Sequence, residues 1–124
     1  MIRLTLPIPP STNTAYRNTR DRGGRALTNK ARNYKSAVQI LTSVEARKQK
    51  WQYKDERLGL SIAFYFPNKR RHDLGNCEKL LVDSIAKALN FDDAVIDKLY
   101  LERRAPDARE PRCEVTLIKL SDEI

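Results

Sequence analysis

Two hydrophobic periods alternate along the chain. Ile2, Leu4 and Leu6 are apolar with Arg3 and Thr5 between them, a period of two that predicts a short strand from Ile2 to Leu6. Pro7, Pro9 and Pro10 follow; they cannot donate to a sheet ladder and end it. Residues 11–15 read as loop. Tyr16 to Thr28 reads as a hairpin-like excursion turning at Asp21-Arg22-Gly23-Gly24, since glycine takes the positive φ of tight hairpins. Thr28 is a cap residue, and the spacing beyond it predicts a helix to about Lys48 with Tyr34, Val38, Leu41 and Val44 on one face. Lys50 to Arg57 is a polar connector whose Trp51 and Tyr53 are either core cover or an interface.

Leu58 to Phe66 alternates most strictly. Leu58, Leu60, Ile62, Phe64 and Phe66 share one face, and Gly59, Ser61, Ala63 and Tyr65 the other. The small residues of the second face predict a helix packed closely there. Pro67 ends the strand, and Asn68 to His72 is a loop. Asp73 then caps a helix of about four turns reaching Leu89. Its buried stripe is Leu74, Cys77, Leu80, Leu81, Ser84, Ile85 and Ala88, while Asn76, Lys79, Asp83 and Lys87 share a different face. Asn90 is a helix stop. Val95 to Arg103 is a strand interrupted by Asp97, Ala105 to Pro111 a loop, and Arg112 to Leu120 a last alternating strand before a fraying end. With 124 residues, no internal repeat and no linker, the expectation is a single α/β domain with a mixed sheet and two main helices. The unit from Leu58 to Arg103 is expected to be a right-handed crossover.

Charge narrows the function. Lys and Arg number 24 against 16 Asp and Glu, a formal net of +8, which suits a polyanionic partner: nucleic acid or an anionic membrane surface. No apolar run approaches the ~20 residues that span a bilayer, and Met1 to Pro10 lacks the apolar core of a signal peptide. An intracellular chain is therefore expected, with Cys77 and Cys113 as free thiols. One His and two Cys do not make a zinc-type ligand set, so any metal would be a hard one held by oxygens. Arg17, Arg20, Arg22 and Arg25 in the hairpin excursion form either a solvated loop or a grip on phosphates, and the second fits the charge better.

The candidate chemistry lies in Arg70-Arg71-His72-Asp73-Leu74-Gly75-Asn76-Cys77-Glu78-Lys79 and in Asp92-Asp93 one helix later. Asp73 stands at a helix N-terminus, where free N–H groups and the dipole attract negative charge. Asn76 and Lys79 lie one and two turns on, roughly along its side. Asp92 and Asp93 lead into the next strand; whether they reach Asp73 is left open by spacing. Two or three carboxylates holding Mg²⁺ would suit phosphodiester hydrolysis, with Lys79 offsetting charge or orienting the nucleophile. Each piece also has an ordinary structural meaning: a helix cap, a solvated lysine, an Asp-Asp turn. Joined to a basic run in a +8 chain, they point to a metal-dependent nuclease. His72 at the edge could contact phosphate, serve as a general acid, or have no role.

The chain resembles the RusA family of Holliday junction resolvases, small endodeoxyribonucleases of bacteria and their phages and prophages. The likeness runs from Leu6-Pro7-Ile8-Pro9-Pro10-Ser11-Thr12-Asn13 through Asp73-Leu74-Gly75-Asn76 with Lys79, and on through Val82-Asp83 and Ala88-Leu89 to Asp92-Asp93-Ala94-Val95-Ile96. The resemblance implies a cytoplasmic homodimer that binds a four-way DNA junction. It would cut two strands of like polarity with Mg²⁺, or Mn²⁺ in its place, and leave 5′-phosphate ends. By position Asp73 and Asp93 match catalytic metal-binding aspartates with Asp92 beside the second, Lys79 matches the active-site lysine, and Asn76 and Asp83 are supporting positions. Arg17, Arg20, Arg22, Arg25, Lys69, Arg70 and Arg71 would hold phosphates. Gly75 departs from the best-known motif, which has a second Asp there, and so removes one expected ligand. The alternative is a non-catalytic basic module that binds branched DNA or structured RNA; a phage accessory protein working through protein contacts is a third reading.

Overall fold

A computed structural model of the chain describes residues 1–10, 16–18, 25–70 and 72–122. Strand β1 is Ile2–Leu6, and β2 (Tyr16–Asn18) and β3 (Arg25–Leu27) follow. Helix α1 is Asn29–Lys48, β4 is Leu58–Tyr65, and helix α2 is Leu74–Leu89. A 3-10 turn at Asp93–Val95 leads into β5 (Ile96–Arg103); β6 (Arg112–Lys119) and a second 3-10 turn at Leu120–Asp122 close the order. Strands β2 and β3 pair antiparallel, Tyr16 opposite Leu27 and Asn18 opposite Arg25, so the expected hairpin forms. Its tip, with Arg20 and Arg22, lies outside the described residues.

The main sheet has four strands in the order β1-β6-β4-β5. Strands β4 and β5 are parallel, and β6 runs antiparallel to both β1 and β4. This is the mixed α/β sheet that the alternation predicts, with α2 as the crossover between its parallel pair. One face carries Ile2, Leu4, Leu6, Leu58, Leu60, Ile62, Phe64, Cys113, Val115 and Leu117, all buried. They form one core with Tyr34 and Val38 of α1 and with Leu80, Leu81 and Ile85 of α2. Apolar area removed from water at ~25 cal/mol per Å² makes this face the main source of stability. Tyr34 also needs a polar partner: its buried hydroxyl donates to the Pro7 carbonyl at 2.7 Å, and burial pushes its pKa up.

Local signals set the helix ends as read. The Thr28 hydroxyl accepts from the Ala31 N–H at 3.3 Å. Asn90 ends α2 in the left-handed region, φ 65 and ψ 45, and its N–H donates to the Ala86 carbonyl. Both cysteines are buried free thiols. Trp51 and Tyr53 are core cover, partly buried against the core. No helix among the described residues is long and apolar enough to cross a membrane.

Two expectations about packing fail. The inner face of α1 is Ala31, Tyr34, Val38, Thr42 and Ala46; Leu41 and Val44 are 43% and 44% exposed. That buried track advances by three and then by fours, along an inclined ridge of the helix surface, and runs through a threonine and two alanines. Nor does any helix among the described residues cover the second face of β4. Ser61 is exposed, and a Cβ at Gly59 would meet the side chains of Leu120 at 3.1 Å and Ile118 at 3.2 Å. The glycine thus makes room for the chain's own C-terminal strand and turn. Asp97 interrupts β5 by a slip in register: Leu58 pairs with Ile96, but Gly59 pairs with Lys98.

Candidate active site

The chain leaves β4 at its C-terminal end, crosses residues 67–72 and enters α2 at Asp73. The Asp73 Oδ1 accepts from the Gly75 N–H at 2.9 Å, so the exposed carboxylate is fixed at the mouth of the helix. A Cβ at position 75 would stand 3.3 Å from that oxygen. Glycine therefore lets the Asp73 carboxylate lie close against the helix N-terminus.

The preceding loop is built on aromatic stacking. The His72 ring lies flat on Phe66, centroids 4.0 Å apart and planes 3° from parallel, and Phe66 stacks on Phe64 at 5.7 Å. Arg103, at the end of β5, donates to the His72 carbonyl and lies 5.5 Å from the centre of the Phe66 ring. Partial burial first, then the Arg103 and Arg70 charges, hold the imidazole below its usual pKa. Lys69 and Arg70 are exposed beside it, and the Arg70 N–H donates to Asn68 Oδ1 at 3.0 Å. Arg71 and the Asn76 side chain lie outside the described residues. So do the side chains of Arg17 and Arg25, whose backbones sit in β2 and β3.

Lys79 is exposed on α2, and Asp83 is half-buried further along it. Past the helix, Asp92 caps the 3-10 turn, its Oδ1 accepting from the Ala94 N–H at 2.9 Å. That bond, then a hydrogen bond shared with Asp93, holds the Asp92 pKa down. Asp93 takes the opposite shift: its pKa is raised by Asp92 first and by Asp83 among the further charges. The two adjacent carboxyls titrate as a pair. Glu78, half-buried, is raised by burial and then by Asp83 and Asp93. Glu78, Asp83 and Asp93 thus share one negative field along α2. The residue pattern had not singled out Glu78 or Arg103; a glutamate in the polar stretch of α2 and an arginine at a strand end carry no local signal of their own.

Asp73 caps the N-terminal end of α2, whereas Asp92 and Asp93 follow the C-terminal end. Sixteen residues of helix separate these ends by about 24 Å. Among the described residues no group of three or more His, Cys, Asp or Glu is placed to hold a metal ion. The donor chemistry, all carboxylate oxygen, suits a hard divalent cation, but one chain supplies it in two separate places.

The chain matches the family described as endodeoxyribonuclease RusA over residues 7–118. It is 31% identical over 128 residues to the crossover junction endodeoxyribonuclease RusA of Escherichia coli K12, covering 97% of this chain and 96% of that protein. It is 31% identical over 126 residues to the enzyme of the same name from Enterobacteria phage 82, with the same coverage. The Shigella sonnei counterpart is 30% identical over 130 residues. A basic α/β domain with Asp73 capping a helix beside exposed cations, matched end to end by these proteins, belongs to the RusA family of endodeoxyribonucleases.

Proposed function

We propose that the chain is a metal-dependent endodeoxyribonuclease that resolves four-way DNA junctions by paired, symmetric nicks. The observation that carries this reading is the placement of Asp73. It is an exposed carboxylate pinned at a helix N-terminus, directly after the cationic Lys69-Arg70 loop, so a phosphate held by the cations lies next to a group that can hold a hard cation. Asp73, Asp93 and Asp92 are the proposed ligands of Mg²⁺, with Mn²⁺ as substitute. A hard divalent ion held by these carboxylates would supply Lewis-acid polarisation of the phosphodiester and a water of lowered pKa. Lys79 is placed on α2 to offset charge as the phosphorus is attacked. Asn76 and Asp83 support from the same helix. Arg17, Arg20, Arg22, Arg25, Lys69, Arg70 and Arg71 hold backbone phosphates without reading sequence.

Asp73 and Asp93 lie at opposite ends of α2 in one chain, so the proposed working unit is a homodimer. A two-fold pair can set the Asp73 end of one copy against the Asp93 end of the other, and does so twice. A junction likewise presents two equivalent strands.

Cleavage of an end-labelled synthetic four-way junction, with and without Mg²⁺, tests this. Wild type should give paired nicks that need the metal. Asp73→Asn and Asp93→Asn should give none while binding the junction as well or better, because a negative charge near phosphate is removed. The second reading is a junction binder without cleavage, and Gly75 favours it by removing a motif carboxylate. Tight binding with no nicks in Mg²⁺ or Mn²⁺ would establish that reading and sink the first.

A further inference from the structure

We infer that Arg103 is a positioning residue for Asp73: from the end of β5 it holds the peptide that leads into the α2 cap, and so sets where the Asp73 carboxylate points. What this does for metal binding rests on the nuclease reading; the tether itself does not.

Arg103 has a rigid base. Its backbone lies opposite Phe64 in the parallel β4–β5 pair, and the next N–H, of Arg104, donates to the Phe64 carbonyl at 3.0 Å. From there the exposed side chain passes over the Phe66 ring, 5.5 Å from its centre, and donates to the His72 carbonyl. That carbonyl belongs to the peptide joining His72 to Asp73. Holding it sets the plane of the peptide, and with it the direction in which the chain enters the cap. The loop's other bonds are internal. The Arg70 N–H donates to Asn68 Oδ1 at 3.0 Å, and His72 Nε2 lies 3.4 Å from the same oxygen. They shape the loop; Arg103 ties it to the sheet.

Further bonds hold Asp73 itself. Its carbonyl accepts from the Cys77 N–H at 3.2 Å, and its Oδ1 accepts from the Gly75 N–H at 2.9 Å. With the peptide before it also held, Oδ2 has a defined place. That matters more here because position 75 is glycine and adds no second carboxylate. The aim of one side chain then decides whether this end of α2 holds a cation. Partners that orient a ligating carboxylate typically carry about 10–100-fold of metal affinity or activity.

Charge and position predict opposite signs. A guanidinium near a cation site repels the cation, so by its field alone removing Arg103 should tighten metal binding. Removing a tether should loosen it. A phosphate contact gives a different pattern again: weaker junction binding, with a salt slope smaller by about one. A hydrogen bond to a backbone carbonyl, made across an aromatic ring, is the geometry of a tether.

Arg103→Met, which keeps the apolar stem and removes donor and charge, tests this in the full chain. Mn²⁺ titrated into isotope-labelled protein broadens nearby amide resonances, so the Gly75 amide reads metal at Asp73 without any cleavage. In Arg103→Met the Mn²⁺ concentration for half broadening should rise about tenfold. The His72 ring protons should lose the upfield shift that stacking on Phe66 gives them. Junction affinity without metal should stay within about twofold of wild type, with the same salt slope. Arg103→Lys restores a donor and should recover most of the Mn²⁺ affinity, and the Mg²⁺ requirement for cleavage should follow the same order. A wild type that cuts no junction, with the Mn²⁺ order intact, counts against the nuclease and leaves the positioning role standing. The proposal is overturned by tighter or unchanged Mn²⁺ binding in Arg103→Met, by a wild-type Gly75 amide that Mn²⁺ does not broaden, or by unmoved His72 resonances. An Arg103→Lys variant no better than Arg103→Met, a salt slope lowered by about one, or a Met variant that circular dichroism shows unfolded overturns it too.

Discussion

At the residue scale, Asp73 has two duties with different requirements. As a cap it needs an oxygen that accepts from the Gly75 N–H; as a metal ligand it needs charge. Asparagine keeps the first and loses the second. Asp73→Asn should therefore unfold in urea within ~0.5 kcal/mol of wild type, while Asp73→Ala should cost about 1 kcal/mol, and both should abolish cleavage. Tyr34→Phe tests a buried bond: losing the donor leaves the Pro7 carbonyl unpaired, a cost of ~1–2 kcal/mol in the same assay. Asp97 is held below its ordinary pKa by the Arg57 guanidinium. A depressed carboxyl contributes stability that is present above its unfolded value near ~3.9 and lost as pH falls through the lower folded value. An NMR titration should find the Asp97 midpoint below that value in wild type and moved up in Arg57→Ala. Asp73, Asp93 and Lys79 were legible as candidates from residue type and spacing. Glu78 and Arg103 were not, because their importance lies in what surrounds them.

At the scale of elements, period and cap chemistry predicted the strands and both α-helices described, but not the 3-10 turns at Asp93–Val95 and Leu120–Asp122. The choice of inner face on α1 was less legible. Leu41 and Val44 are the more hydrophobic residues, yet Thr42 and Ala46 face the core. Small residues let the helix approach, and bulk on the flanks is left to solvent. Leu41→Ala should thus change stability by less than ~1 kcal/mol. Leu81→Ala, at a fully buried position of α2, should cost ~2–5 kcal/mol, with urea midpoints separating the two. The small residues of β4 misled for a related reason. They do mark a close approach, but of Ile118 and Leu120 beside Gly59, and one strand's pattern does not say which element comes close.

At the scale of the molecule, a net charge of +8 governs the encounter with DNA. Junction affinity should fall by at least an order of magnitude between roughly 50 and 200 mM salt, through release of counterions from the phosphates. A mobility-shift titration at several salt concentrations reads the slope, and a flat one would remove phosphate contacts from the account.

By itself the sequence determined the elements, their caps, the mixed α/β class and the family, because these follow from local backbone preference, hydrophobic period and motif residues. Only the tertiary structure decided that β6 lies between β1 and β4, that β5 is an edge, and that no helix among the described residues covers the second face of the sheet. Those are relations between segments distant in sequence, set by which packing buries the most apolar surface, and no window of neighbouring residues contains them.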